Sequence, residues 1–178
     1  MTAEETRSVR TTFSSDAVHL LRTTQTIQYQ LSQMADQKAN MVLAATFVIF
    51  TVTISLAHAG QKPLPLLVLG ASAFAAAVLA IMAVLPSVKT PPRPDGPANL
   101  LFFGSFTQLS EAQFVDLLLE AVAEPRIMYE TFAHDIYQNG RVLAFKKYRY
   151  LGFAYRVLLG GLFGSLVAFV APYILALI

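Results

Sequence analysis

Three long runs without a charged side chain interrupt the polar parts of this chain, at 39–57, 63–88 and 157–178. Each is close to or above the roughly 20 residues that a helix needs to cross a bilayer core of about 30 Å. Inside lipid the backbone must make its hydrogen bonds within the segment, which favours helices. The pattern therefore predicts an all-α integral membrane protein with three transmembrane helices, at 39–58, 64–85 and 157–178.

Apolar residues also recur before the first span, at alternating spacings of four and three that are typical of helix packing. The positions are Leu20, Ile27, Leu31, Met34 and Met41, with Thr24 and Lys38 as interruptions. No Gly or Pro occurs between Asp16 and Ala59, so a cytoplasmic helix at 14–38 is predicted to continue directly into the first span. We expect this stripe to pack against another cytoplasmic helix.

The region between the second and third spans divides into a linker and a helical part. Five prolines mark 86–109 as a linker, and helices are predicted over 110–156. Ser110 and Gln113 have the spacing of a capping box, and Pro125 suits the first turn of a helix that continues into the third span. The first and third spans thus gain long cytoplasmic helical extensions, while the polar residues 1–13 are predicted to be disordered.

The distribution of charge predicts how the chain is oriented. Only 13% of the 178 residues are charged, against about 25% in soluble domains, and the mean hydropathy is +0.53. Between the second and third spans lie eight Lys or Arg residues, whereas the loop between the first two spans has one, Lys62. Because Lys and Arg accumulate on the cytoplasmic side, we expect the N-terminus and the central segment there, with the C-terminus opposite.

Residues that commonly carry catalysis or bind metals are scarce. The chain has no Cys, and its three His lie on different segments without metal-ligand spacing. No phosphate-binding or nucleophile motif occurs. We therefore predict no enzymatic activity, no metal and no cofactor. The spans carry no charge at mid-depth, which argues against ion-coupled transport, although a small transporter subunit stays as a third hypothesis.

Small residues in the second and third spans allow close helix contacts. Ser72, Ala76 and Ala80 share one face, and Gly160 and Gly164 have GxxxG spacing. These positions fit two interpretations equally, a dimerisation face or packing among the three helices of one chain.

Polar residues at the cytoplasmic ends of the spans are the remaining candidates for function. Asp36 and Lys38 precede the first span, and Arg141, Lys147 and Tyr148 precede the third. The simplest interpretation is that the cations meet anionic lipid headgroups. The alternative is an anion site in which cations bind a phosphate and a tyrosine stacks on a base.

Four short motifs at these places resemble a known family, the transmembrane effectors of bacterial Pycsar anti-phage systems. Residues 34–39 resemble the family's AD-x-KA junction, and Asn99 to Gly104 resemble its N-x-x-FFG stretch. The other two motifs are Asp135-Ile136-Tyr137 with Gly140 and Leu143, and Lys147-Tyr148 with Leu151 and Tyr155. Together the four motifs extend the resemblance over residues 15–178.

The resemblance implies a multi-pass effector in the bacterial inner membrane that responds to a cyclic pyrimidine mononucleotide, cUMP or cCMP. It would impair the membrane after phage infection, with the lipid bilayer and further copies of itself as partners and no nucleic acid. Asp36 and Lys38 are the predicted switch, and Arg141, Lys147 and Tyr148 are predicted to contact the nucleotide or gate the membrane part. The alternative function is a non-enzymatic membrane scaffold that localises a cytoplasmic partner.

Overall fold

The fold is all-helical, as the sequence predicts. The computed structural model describes residues 13–14, 16–60, 63–86 and 98–176, and no strand occurs among them. The helices are α1 (Ala17–His58), α2 (Leu64–Val84), α3 (Phe103–Phe106), α4 (Glu111–Ala123), α5 (Pro125–Val142) and α6 (Tyr148–Leu175), with a π-helical turn at Leu143–Lys147. Residues 1–12 of the predicted disordered segment and 87–97 of the predicted linker lie outside this description.

Three helical stretches are long and apolar enough to cross a membrane, which confirms the predicted number. They are α1, α2 and the continuous stretch Pro125–Leu175, which comprises α5, the π turn and α6. At 1.5 Å per residue α2 is about 31 Å long, close to the thickness of a bilayer core. With 42 residues, α1 is about twice as long as α2, so a large part of α1 extends beyond the end of α2.

Local sequence explains where these helices begin and end. Gly60 ends the first helical segment with φ of +83°, a conformation that glycine adopts without steric cost. Pro65 lies in the first turn of α2, where its missing N–H is harmless. The predicted capping box opens α4, because the Ser110 hydroxyl accepts from the Gln113 amide N–H and the Gln113 side chain accepts from the Ser110 N–H.

Small side chains hold the three long helices together, with α2 packed against both α1 and α6. Ala73, Ala76 and Ala80 of α2 are completely buried. A Cβ at Gly161 of α6 would collide with Ser72, so this glycine is needed for packing within the chain. Gly160 faces open space, and a dimerisation face there stays a prediction.

The stretch α5–α6 runs parallel to α1, and α2 runs antiparallel to both. Side-chain contacts advance in the same direction on the two parallel stretches, from Gln25 with Asp135 to Asp36 with Lys147. At the end of α2, the Lys146 Nζ donates to the Leu85 carbonyl at 2.6 Å. Lys146 is therefore level with the C-terminal end of α2, and α5 lies beyond that end together with the first half of α1.

The face of α1 that packs inward differs from the predicted one. The apolar members of the stripe are exposed, among them Leu20 with 68% of its surface accessible. The expected packing of this stripe against another helix is therefore wrong for the described part of the chain. Instead, α1 turns a face of small and polar residues toward α5 and α6: Gln25, Gln28, Ser32, Ala35, Ala39 and Val42.

A short segment after the linker docks on this helical framework. Asn99 and Leu100 are buried, and α3 follows them within the range predicted as linker. The rings of Phe106 and Phe114 are 4.8 Å apart, which joins this segment to α4. Near the other end of the chain, the Phe13 ring lies 4.3 Å from the Tyr129 ring of α5.

Candidate functional site

An ion pair connects α1 to the stretch that becomes α6. The Lys147 Nζ donates to both carboxylate oxygens of Asp36, at 2.7 and 2.8 Å, and to the Ser32 hydroxyl at 2.8 Å. The side chains of Lys147 and Asp36 are 18% and 42% exposed. Partial burial with three charge-assisted hydrogen bonds makes this pair stronger than an ordinary surface pair.

The π-helical turn explains how two adjacent lysines reach different helices. Lys146 bonds to the end of α2, and Lys147 bonds to α1. A π turn widens the helix locally by one residue and often marks a functional site. Here it gathers α1, α2 and α6 at one level, which we call the junction and define by Ser32, Asp36, Lys146 and Lys147.

A second exposed ion pair has no comparable role. Arg126 Nε donates to Glu130 at 2.9 Å, and both side chains are mostly exposed on α5. This hydrogen bond raises the pKa of Arg126, which stays charged. Because both partners belong to one helix, the pair links no separate elements.

Lys38 and Tyr148 lie beside the junction. The Lys38 Nζ is 5.9 Å from the centre of the Tyr148 ring, at the edge of the range for a cation–π contact. The Tyr148 hydroxyl donates to the Leu31 carbonyl at 3.2 Å. The structure therefore brings together four of the five residues selected from the sequence: Asp36, Lys38, Lys147 and Tyr148.

Arg141 is the fifth selected residue, and it lies apart from the junction. Its side chain is exposed, and the guanidinium is 5.7 Å from the centre of the Phe145 ring. It lines an open groove of about 540 Å³ between α1 and α5. Arg141 therefore contributes charge to this groove and none to the ion pair.

A buried carboxylate joins three separate segments further from α2 than the junction. Asp135 is only 5% exposed and accepts hydrogen bonds from Gln25, Asn99 and Asn139 at 3.0 to 3.1 Å. Asn99 also donates to Gln138 at 2.8 Å. A buried charge must be hydrogen-bonded to be tolerated, and the three amides meet that need. We call Gln25, Asn99, Asp135 and Asn139 the amide cluster.

Each of the four motifs that carry the family resemblance contributes a residue to these contacts. The pairs are Asp36 with Lys147 and Asn99 with Asp135. Asn99 and Asp135 belong to these motifs but were not among the predicted site residues, and Gln25 and Asn139 were not predicted at all. Polar residues at 25, 28 and 32 do recur at helical spacing, which is the signal that could have revealed an inward polar face.

A small cavity of about 190 Å³ lies between the junction and the amide cluster, with Lys147 and Asp135 in its wall. Gln28 lines it too, and its Oε1 is buried without a hydrogen-bond partner in the described structure. No group of three or more potential metal ligands occurs within the residues that the structure describes. We call the part of the molecule beyond the end of α2, which comprises the first half of α1 with α3, α4, α5 and the π turn, the polar end. It offers hydrogen-bonding and charged groups.

Comparison with known proteins identifies the family. No curated protein and no solved structure matches the chain. A family model described as the Pycsar effector protein domain matches residues 19–176, which is most of the chain. The chain therefore belongs to the Pycsar effector family, whose members act in anti-phage defence.

Proposed function

We propose that the protein responds to a cyclic pyrimidine mononucleotide, cUMP or cCMP, by impairing the inner membrane of an infected cell. Family membership supports the trigger and the outcome. The observation that carries the mechanism is the ion pair between Asp36 and Lys147. It joins two helices that both continue into candidate spans, so a change in this contact reaches the membrane part through continuous helix.

The proposed switch needs only a modest difference in ligand affinity between two arrangements of the polar end. A ligand shifts such an equilibrium by as much as its affinities for the two states differ. Hydrogen bonds to charged groups are worth about 1.5–3 kcal/mol each. Because Lys147 makes bonds of this kind, rearranging the junction requires a free energy that binding of a charged nucleotide can supply. Lys38 and Tyr148 would move with it, since they contact each other beside it.

We place the polar end of the molecule in the cytoplasm. The first half of α1, together with α4 and α5, would then extend from the cytoplasmic face, and α6 would end on the opposite side. Four cations support this orientation, because Lys and Arg accumulate on the cytoplasmic side. They are Arg141, Arg149 and the two junction lysines. In this arrangement the amide cluster and the junction lie on the side of the membrane that holds a cytoplasmic nucleotide.

Membrane damage would require several copies of the chain. In one copy α2 packs against both α1 and α6 through fully buried alanines, so we expect a path for solutes to form between copies. Copies in one bilayer share the same depth and orientation, so the stripes of neighbouring copies lie at the same level. The exposed members of the stripe, Leu20, Ile27 and Met34, offer an apolar surface at the spacing of helical pairs.

The switch is tested by replacing its cations one at a time. Lys38→Ala and Lys147→Ala should each abolish nucleotide-dependent uptake of a membrane-impermeant dye by cells that express the protein. Arg149→Ala is the matched control, since this exposed arginine lies on the same helix outside the junction. A full response from both lysine variants at normal expression would contradict the assignment of these residues.

A scaffold that localises a cytoplasmic partner is the second candidate function, and the exposed stripe of α1 favours it. A scaffold would leave membranes intact when overexpressed, whereas an effector is toxic once it is activated. Growth and dye uptake in cells that overproduce the protein with the nucleotide therefore separate the two functions.

A further inference from the structure

The open groove between α1 and α5 has the size of a ligand site. Its volume of about 540 Å³ falls within the 300–1,000 Å³ that is usual for small-molecule pockets. The cavity beside Lys147 has about 190 Å³ and is too small for a whole nucleotide. The groove lies on the other side of the contact between α1 and α5, and Gln28 lines both spaces.

The charge of the groove suits an anion. Arg141 lies in its wall, and none of the described lining residues is acidic. The small cavity has Asp135 beside Lys147 in its wall, and a third pocket near His134 includes Glu120 and Glu130, so each of these two spaces has a carboxylate in its wall. A guanidinium presents a planar fork of donors that matches two phosphate oxygens.

Two aromatic rings provide flat surfaces next to this cation. Tyr137 and Phe145 line the groove, and each has 64% of its surface exposed. Aromatic side chains stack on nucleic-acid bases through their π faces. Gln28 also lines the groove, and its Oε1 is buried without a hydrogen-bond partner in the described structure. Rotation of this side chain toward the groove would let the oxygen accept from a base N–H or a ribose hydroxyl, which removes the cost of leaving it unbonded.

We propose that this groove binds the cyclic pyrimidine mononucleotide, an inference that rests on the proposed function above. Arg141 binds the cyclic phosphate, Tyr137 or Phe145 stacks on the base, and Gln28 accepts a hydrogen bond from the base or ribose. Lys147 then transmits binding and does not contact the ligand. The groove and the junction are close together. Phe145 belongs to the π turn that also carries Lys147, and Gln28 lies one helical turn before Ser32.

An anionic lipid headgroup offers the same phosphate chemistry as the nucleotide. Arg141 is five residues from Lys146, which is level with the end of α2, so it lies about 8 Å further along the helix axis. The headgroup layer of one leaflet is about 5–8 Å thick, which places Arg141 near its outer edge. The aromatic walls favour a ligand with a flat base, and the experiment below distinguishes the two sources.

The test measures nucleotide binding to the full-length protein in nanodiscs of zwitterionic lipid, by calorimetry with cUMP and cCMP. Arg141→Ala should weaken binding of the cognate nucleotide by about 10- to 100-fold, the loss expected for a hydrogen-bonded charge. Arg149→Ala, an exposed arginine outside the groove, should bind like the unmodified protein. Circular dichroism establishes that the variants keep their helices.

Two further variants separate binding from transmission. The double variant Tyr137→Ala with Phe145→Ala should also lose affinity, since base stacking is worth about 1–3 kcal/mol per base. Lys147→Ala should bind the nucleotide normally and fail to permeabilise vesicles. Loss of binding in Lys147→Ala together with normal binding in Arg141→Ala would place the ligand in the small cavity and overturn the proposal.

The remaining outcomes distinguish failure of the site from failure of the function. If the unmodified protein binds neither cUMP nor cCMP, the proposed function is wrong, and the site with it. If it binds one of them and Arg141→Ala binds equally well, the groove is not the site while the function stands. A parallel preparation in nanodiscs that contain an anionic lipid tests the other source of phosphate. If Arg141→Ala lowers the retention of that lipid there and leaves nucleotide binding unchanged, Arg141 serves headgroups and the proposal is again overturned.

Discussion

Two regions of the same long helices are held together by different chemistry. Where α2 packs against its neighbours, the contacts come from alanine and glycine, as with Ala76, Ala80 and Gly161. Beyond the end of α2, α1 meets α5 and the π turn through amides, carboxylates and a lysine. The spans are therefore joined by shape and the polar end is joined by exchangeable hydrogen bonds.

This difference decides which region a soluble ligand is able to rearrange. Close packing of small residues in lipid depends on complementary shape. When the helices separate, a soluble ligand offers no contact that replaces this packing. A hydrogen bond to a charged group in the polar end contributes about 1.5–3 kcal/mol net, and water or a charged ligand can take the place of its partner. In the proposed mechanism a nucleotide therefore rearranges the junction while the packing of α2 persists, and the long helices transmit the change.

The largest effect is expected from filling the tightest contact in the membrane region. In Gly161→Leu the new side chain would collide with Ser72 of α2, and overpacking of this kind costs about 1–3 kcal/mol or more. We expect most of the folded protein to be lost, as measured by thermal unfolding in detergent. Gly160→Leu is the control, since that position faces open space, and equal losses in both variants would contradict the packing.

Removing the carboxylate of the amide cluster should loosen the polar end alone. Asp135→Ala removes one acceptor from each of three amide groups, of which Asn99 keeps its bond to Gln138, at a cost of about 1–3 kcal/mol. Hydrogen exchange should accelerate in α5 and remain unchanged in α2. His134→Ala, a change at the exposed neighbouring residue, should alter neither, and faster exchange in α2 would show that the two regions are not independent.

The junction ion pair should make a smaller contribution to stability than to signalling. A double-mutant cycle with Asp36→Asn and Lys147→Met should give a coupling free energy of about 1 kcal/mol, because Asp36 is partly exposed. High salt should reduce this coupling. Thermal unfolding of the four proteins measures it, and a coupling of zero at low salt would remove the pair as a connection between α1 and the π turn.

The smallest effect is expected on the exposed face of α1. Ile27→Gln should change the free energy of unfolding of one copy by no more than about 0.5 kcal/mol, because its side chain contacts solvent. Ala35→Gln is the matched change on the buried face and should destabilise the protein clearly. Chemical unfolding in detergent compares the two variants, and similar losses would show that the stripe is buried after all.

The membrane architecture was readable from the sequence because it depends on simple properties. Length and the absence of charge predicted three spans, and the lack of Gly or Pro predicted a continuous α1. The capping box at Ser110 followed from local hydrogen-bond geometry. These features require no knowledge of which residues meet across the fold.

The packing face of α1 was not readable, because the face that packs inward is not its most apolar face. The prediction placed Leu20 and Ile27 inward, whereas Ala35 and Ala39 are the buried residues. In the membrane region, small side chains such as Ala39 permit close approach between helices. Within the polar end, Gln25 and Ser32 face inward because they have hydrogen-bond partners there.

The candidate site was predicted in part, for a similar reason. Four of the five predicted residues are near one another, as their common position at the ends of the spans suggested. They are Asp36, Lys38, Lys147 and Tyr148. The π turn gave no sequence signal, and it decides that Lys147 rather than Lys146 reaches Asp36. Because the π turn was not predicted, the separation of Arg141 from the other four residues was not predicted either.

Permeabilisation of reconstituted vesicles tests the central proposal most directly. The purified full-length protein is inserted into vesicles loaded with a self-quenched dye, and cUMP, cCMP or cAMP is added. We predict dye release with at least one pyrimidine nucleotide, none with cAMP, and none from vesicles that contain Lys147→Ala. Intact vesicles with every nucleotide, at confirmed insertion of the protein, would contradict a nucleotide-gated membrane effector.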